Sequence, residues 1–288
     1  MDSELTLSVI MLAKNKSEYV IRAAESVLID KRVELIIVEP GSFDDSRAKV
    51  EEIQNRFGES VQLVLVTDDS PAEGLNNGLS KARGDFVSIL NADDFYLKDG
   101  LLRILAELVA DPKMNILCAG GEISNSGKNS LSTMFPSAFT LKSLLLHSFG
   151  AIKFLHQGIF VRTSIMLNYP FNPRNRISWD IEQFISMFIE YPKIRRLRIK
   201  VAVFNLNAES ISSRPSYRSD LRKENLRLFK QHIDRSFNYF DYIQVLQYRL
   251  VNNIFAVVDS LFYRAHEFSS KYALGVEKKR EAVGRLSL

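Results

Sequence analysis

The sequence predicts an α/β fold: a mostly parallel, Rossmann-like sheet flanked by helices, followed by a C-terminal helical extension. Short apolar runs of strand length alternate with amphipathic stretches of helix length over the first ninety residues. That alternation builds a parallel sheet with right-handed crossovers. Towards the C-terminus the apolar residues recur instead at steps of three and four, the spacing of a helix face.

Leu7-Ser8-Val9-Ile10-Met11-Leu12 reads as a first strand, because strands covered on both faces show continuous apolar runs. Ser17 is placed to cap a helix whose inner face carries Val20, Ala24, Val27 and Leu28. Leu35–Val38 is a second strand, broken at Gly41-Ser42. Asp44 and Asp45 stand at the start of a helix with Ala48, Ile53 and Phe57 further along. Val61–Val66 is a third strand, and Ser70-Pro71 leads into a helix around Leu75–Ala82 that Arg83-Gly84-Asp85 ends. Phe86–Leu90 is a fourth strand, running straight into Asn91-Ala92-Asp93-Asp94. Beyond it lie a helix over Leu101–Leu108, a strand over Ile116–Ala119 and a loop rich in Gly, Ser and Asn over Gly120–Ser132. Ile159–Val161 forms a strand after His156-Gln157-Gly158, and Trp179–Ile189 a helix with Ile181, Phe184, Ile185 and Phe188 on one face. Ile199, Val201 and Val203 alternate with Arg198, Lys200 and Ala202 like a half-exposed strand. Ile243, Leu246, Leu250, Ile254, Val257 and Leu261 make the C-terminal stripe.

Composition narrows the function classes. Of 288 residues, 46% are hydrophobic, enough to offset chain entropy, so disorder is not the dominant state. No apolar window approaches the roughly 18 residues of a membrane span. Asp2 and Glu4 precede the first apolar run, which argues against a signal peptide. A single cysteine, Cys118, excludes an intramolecular disulfide framework and a Cys-based zinc cluster, and fits a reducing, cytoplasmic setting. The net charge of +4 is unevenly spread: Glu34–Asp111 holds 16 acidic and 7 basic residues, Lys193–Arg235 12 basic and 4 acidic. Both can be solvated faces; alternatively the acidic half binds a cation and the basic half meets an anionic acceptor or a membrane. No nucleic-acid recognition motif accompanies the basic half, so nucleic acid is not an expected partner.

In open parallel sheets the ligand sits beyond the carboxyl ends of the strands. That rule places Ala13–Asn15, Glu39–Ser42, Thr67–Asp69 and Asn91–Asp94 on one rim, and three of the four carry acidic side chains. Two adjacent carboxylates repel unless solvated or bridged, and a hard divalent cation bound by one or two carboxylates and by diphosphate oxygens is a chemical answer. An Asx-capped turn is the other.

The pieces resemble glycosyltransferase family 2, with its GT-A fold, in the family's order. Ser8-Val9-Ile10 through Asn15-Lys16 resembles the opening strand and its turn. Glu34–Ser42, followed by Asp44-Asp45, resembles the "EIIVvDdGS" segment. Glu73-Gly74-Leu75-Asn76-Asn77-Gly78-Leu79 through Asp85 is similar to "DAmNkGi…AtGd". Leu90-Asn91-Ala92-Asp93-Asp94 corresponds to the DXD-type motif, and His156-Gln157, Phe171-Asn172 and Trp179-Asp180-Ile181-Glu182 to the acceptor-side "HQ…Fd…aDyd". The resemblance spans about residues 5 to 230.

It implies an inverting transferase that moves a sugar from a nucleotide-sugar, UDP-linked, to a hydroxyl of a glycan or lipid-linked acceptor in surface-polysaccharide assembly. Asp93 matches the carboxylate that holds Mn²⁺ or Mg²⁺, a Lewis acid for the departing diphosphate. Ala13, Asn15, Glu39, Gly41, Ser42, Glu73, Asn76, Asn91, Ala92 and Asp94 would line the nucleotide-sugar site, with Asn91 and Asp94 at ribose or a metal-bound water and Glu39 at the base. Asp180 matches the base that takes the acceptor hydroxyl proton, at a helix start whose dipole favours an ionised carboxylate. Glu182, two residues on, points elsewhere round the helix and is the alternative. His156, Gln157, Trp179 and Glu182 would line the acceptor cleft; a core-packing role is equally open for His156 and Trp179. Leu12, Ala13, Lys14, Pro40 and Asn91 depart from the family pattern. The implied organisation is a catalytic domain over 1–235 (nucleotide-sugar half to about 123, acceptor half 124–235) and a helical segment over 236–288. That segment, with its basic tail of Lys271, Lys278, Lys279, Arg280 and Arg285, would pack on the domain, pair with a second copy or lie on the inner membrane face. Rivals are a nucleotidyltransferase, against which stands the lack of glycine in Ala13–Lys16, and a non-catalytic relative, against which stand Asp93 and Asp180.

Overall fold

The computed structural model describes residues 7–67, 70–125, 129–207 and 215–254. Asp69, Val257, Leu261 and the basic tail from Lys271 to Arg285 lie outside the described residues. The first four strands are β1 (Leu7–Leu12), β2 (Val33–Glu39), β3 (Val61–Leu65) and β4 (Phe86–Asn91), followed by the short β5 (Phe95–Tyr96). They alternate with helices α1 (Val20–Val27), α2 (Ser46–Phe57) and α3 (Pro71–Leu79), and α4 (Lys98–Ala110) follows β5. The second half adds β6 (Ile116–Asn125), β7 (Asn129–Met134), β8 (Ile159–Arg162) and β9 (Ile194–Leu206). Its helices are α5 (Leu141–Leu145), α6 (Thr163–Asn168), α7 (Trp179–Glu190), α8 (Tyr217–Ile233) and α9 over residues 239–254.

One sheet joins them in the order β3–β2–β1–β4–β8–β6–β9–β5, with β7 paired to β6. Strands β1 to β4 are parallel, while β8 runs antiparallel to both β4 and β6. Alternate side chains feed two cores. Leu7, Val9, Met11, Leu35 and Ile37 pack under α1, α2 and α4; Ile10, Ile36 and Val38 pack with α3, α5, α7 and α8 on the other face. Each such side chain, wholly buried, stabilises the fold by about 1.5–3 kcal/mol. Helix α3 sits so close to the sheet that a Cβ at Gly78 would stand 2.5 Å from Ile10 Cγ2.

Strand register builds the rim. Leu12 pairs with Val38 on one side and Asn91 on the other, so Ala13, Glu39 and Ala92 emerge together one residue further on.

Two expectations are corrected. Ser17 does not cap α1: Tyr19 is the N-cap, without a side-chain bond, and the Ser17 amide instead donates to Asp44 Oδ2 at 3.1 Å. The stretch from Gly120 is not a loop, because β6 continues to Asn125 and pairs with β7 and β9. The glycines there permit close strand approach: a Cβ at Gly121 would collide with the Ala202 carbonyl.

Candidate active site at the carboxyl rim of the sheet

One side of the rim is a set of backbone turns pinned by side chains. Gly41 adopts φ +82° and Asn15 φ +51°, left-handed conformations that turn both loops sharply. Ser42 joins them: its amide donates to Glu39 Oε1 at 2.5 Å, and its hydroxyl accepts from the Asn15 amide at 3.0 Å and donates to the Ala13 carbonyl at 3.3 Å. The Phe43 amide returns to Asn15 Oδ1 at 2.9 Å. Phe43 itself stands out from this locked turn, 94% exposed. Glu39 is buried, and its Oε2 has no partner among the described residues.

The Asn91-Ala92-Asp93-Asp94 segment divides the labour between its two carboxylates. Asp93 is reachable: Oδ2 lies 3.0 Å from Lys16 Nζ and accepts from Asn207 Nδ2 at 2.8 Å. Asp94 is 1% exposed and points inward. It accepts from the Asn205 amide at 2.8 Å, Gln157 Nε2 at 2.6 Å and Asn91 Nδ2 at 3.3 Å. Burial, reinforced by the Asp93 charge, pushes its carboxyl up to about 8. The expectation of Asp94 at ribose or a metal-bound water is therefore corrected: it ties β4 to β9 and to the turn at His156–Gly158. Gln157, also buried, serves that tie rather than lining an acceptor cleft. Ala92 is buried, its amide donating to the Leu12 carbonyl.

Asp180 enters from the other side, in the first turn of α7. Its Oδ1 accepts from the Ile181 amide at 2.9 Å, while Oδ2 faces His156 Nδ1 at 3.7 Å. On the opposite edge of that ring, His156 Nε2 lies 3.3 Å from Asn91 Nδ2. Burial lowers the His156 pKa, and the Asp180 and Asp93 charges both oppose that shift. The Asp180 and Asp93 charges thus act on one imidazole. Trp179 is only 8% exposed, edge-on to His156 and to Phe171, which fits the core-packing alternative.

Two further candidates brace the site. Asn76 spends its amide on Phe171, donating to the carbonyl at 2.9 Å and accepting from the amide at 2.8 Å. Glu182 accepts from Asn172 at 3.1 and 3.2 Å, Asn175 at 2.8 Å and Arg227 at 2.9 Å, which turns it away from the cleft and holds its pKa down against burial. Glu73 sits half-buried in the first turn of α3. Among the described residues no group of three or more His, Cys, Asp or Glu side chains could hold a metal ion.

The family model for glycosyl transferase family 2 matches residues 8–167, more than half of the chain and the whole rim from Ala13 to Asp94. The chain belongs to this family. Among similar curated members, the minor teichoic acid biosynthesis protein GgaA of Bacillus subtilis is 25% identical over 166 residues, covering 54% of this chain and 36% of that one. A PGL/p-HBAD biosynthesis glycosyltransferase of Mycobacterium bovis is 27% identical over 175 residues, covering 60% and 65%. The first three relatives match over only 32%, 36% and 39% of their own lengths. Similar solved structures share the fold at low identity. Staphylococcus aureus TarS 1–349 in complex with UDP-GlcNAc aligns at a TM-score of 0.61 and 17% identity, over 86% of this chain and 72% of that one. The mannosyltransferase PcManGT of Pyrobaculum calidifontis in complex with GDP-Man and Mn²⁺ gives 0.58 and 14%, over 91% and 75%. The expected GT-A-type sheet with flanking helices is thereby shown for this family member. Sequence reasoning missed Asn205, Asn207 and Lys16 as partners of the two carboxylates. Lys16 follows Asn15 in a quoted motif and carried the only available signal.

Proposed function

We propose that the chain is an inverting glycosyltransferase that moves a sugar from a UDP-sugar to a hydroxyl of a glycan or lipid-linked acceptor in surface-polysaccharide biosynthesis. One observation carries this reading: the His156 ring meets Asp180, at the start of α7, on one edge at 3.7 Å and Asn91, two residues before Asp93 at the tip of β4, on the other at 3.3 Å. The relatives in teichoic acid and PGL/p-HBAD biosynthesis and the UDP-GlcNAc complex of TarS support the substrate class.

Within this reading, residues 1–123 hold the donor and 124–235 the acceptor, with 236–288 as an appended helical segment. Glu39, Gly41, Ser42 and Asn15 form a preset cradle for the nucleoside, with Glu39 Oε2 as its buried acceptor. A Mn²⁺ or Mg²⁺ ion fits Asp93. Lys16 and Asn207 converge on Asp93 Oδ2, so Asp93 would hold the ion through its other oxygen, with diphosphate oxygens and water supplying the remaining ligands. Bound there, the ion offsets the charge that grows on the departing nucleoside diphosphate. Lys16 adds an ammonium beside the same oxygens. Asp180 Oδ2 takes the acceptor hydroxyl proton as that oxygen attacks the anomeric carbon from the face opposite the leaving group.

Calorimetry with UDP and Mn²⁺, paired with a UDP-release assay over a panel of UDP-sugars and acceptors, tests the reading. Asp93→Ala should abolish the metal-linked part of UDP affinity, and Asp180→Asn should bind UDP normally yet fail to transfer. Unchanged metal linkage in the first variant overturns the metal assignment; native-rate transfer by the second overturns the base.

A further inference from the structure

We propose that His156 is a positioning residue, held by the Asn91 amide in its Nδ1–H tautomer so that the ring orients Asp180. This rests on the reading of Asp180 as the base. Asn91 Nδ2 approaches His156 Nε2 at 3.3 Å, and an amide NH₂ can only donate. Nε2 must therefore accept, which places the single proton of a neutral imidazole on Nδ1. Nδ1 is the atom that faces Asp180 Oδ2, at 3.7 Å.

The surroundings fix the rest. Asp180 Oδ1 is occupied by the Ile181 amide, so Oδ2 is the oxygen left for the ring and for a substrate proton. Trp179 stands edge-on to the imidazole at 6.1 Å and limits its rotation. Burial lowers the ring's pKa against the opposing pull of Asp180 and Asp93. The 3.7 Å separation exceeds a hydrogen bond, and such contacts tighten when substrate fills the cleft.

The identity of residue 91 decides the geometry. An aspartate there would accept from Nε2–H, leaving the Nδ1 lone pair against the Asp180 carboxylate, a repulsive contact. The amide at the head of the Asn91–Asp94 tetrad thus connects the donor edge of the cleft to the acceptor edge through one ring.

Imidazole ¹⁵N NMR on the whole chain reads the tautomer directly, with His156→Gln assigning the signal among the four histidines. The wild-type ring should show a protonated Nδ1 and a bare Nε2; Asn91→Asp should reverse the pattern. In the UDP-release assay His156→Ala should lower kcat by about 100-fold with the donor KM unchanged. His156→Asn, which keeps a donor near the Nδ1 position, should recover most of that loss, whereas His156→Gln should not. A wild-type Nε2–H tautomer, or a tautomer indifferent to Asn91→Asp, overturns the positioning role. Native-rate transfer by Asp180→Asn would instead overturn the underlying assignment of the base, a distinct result.

Discussion

Glu182→Ala removes the acceptor on which three donors from two segments converge. In the native chain Asn172 and Asn175, from the loop before α7, and Arg227, from α8, all donate to this carboxylate. A hydrogen bond to a charged group contributes about 1.5 kcal/mol or more, so the two amides account for roughly 3 kcal/mol. The Arg227 pair reaches solvent and adds less than about 1 kcal/mol. A loss near 3 kcal/mol lowers the melting temperature by about 6–12 °C in a domain of this size. Thermal unfolding followed by circular dichroism measures it. The pH dependence supplies a second reading. The folded state holds Glu182 below its ordinary pKa, so its contribution is complete above the unfolded value of about 4.3 and fades as pH falls through the folded value. The gap between native and variant melting temperatures should thus be full at pH 7 and shrink below about pH 4. Transfer should fall as well, because the first turn of α7 that presents Asp180 loses its brace. A variant that melts with the wild type, or a gap constant down to pH 3, would refute this account.

Two other substitutions test the packing that supports the rim. Asp241→Ala strips a buried carboxylate of Arg235 (2.6 and 2.7 Å), Lys142 (2.7 Å) and the Asn238 amide (2.9 Å). We expect a destabilisation of about 2 kcal/mol in urea unfolding, below the 3–5 of a fully enclosed pair because the cations reach solvent. Gly100→Ala drives a methyl group into the Lys200 carbonyl of β9, and an overpacking cost of about 2 kcal/mol should exceed the gain of about 1 kcal/mol in helix propensity. A variant as stable as the native chain would show that α4 can lift from the sheet.

Strands β1 and β4 were legible almost to the residue, since burial on both faces leaves uninterrupted apolar runs ended by polar rim residues. The start of α7 at Trp179 was equally visible. What the linear chain concealed is long-range pairing. Asn76 meets Phe171 across 95 positions and Asp93 meets Asn207 across 114, and no local pattern announces either. The β6–β7 hairpin was hidden for a different reason: its Gly, Ser and Asn residues have low strand propensity, and ladder bonds to β9 override it. Neighbouring Asp93 and Asp94 looked alike; only their placement against Gln157 and Asn205 assigns one to the cleft and the other to the interior.

On the proposed reading, the staples among Asn15, Glu39, Ser42 and Phe43 shape how an incoming nucleotide is received. Because the turn is already frozen by the chain's own hydrogen bonds, little conformational freedom remains to be surrendered on association. Affinity at this edge is then governed by how well a visitor's outline matches a fixed mould, so discrimination between bases resides in the mould rather than in adaptation to the guest.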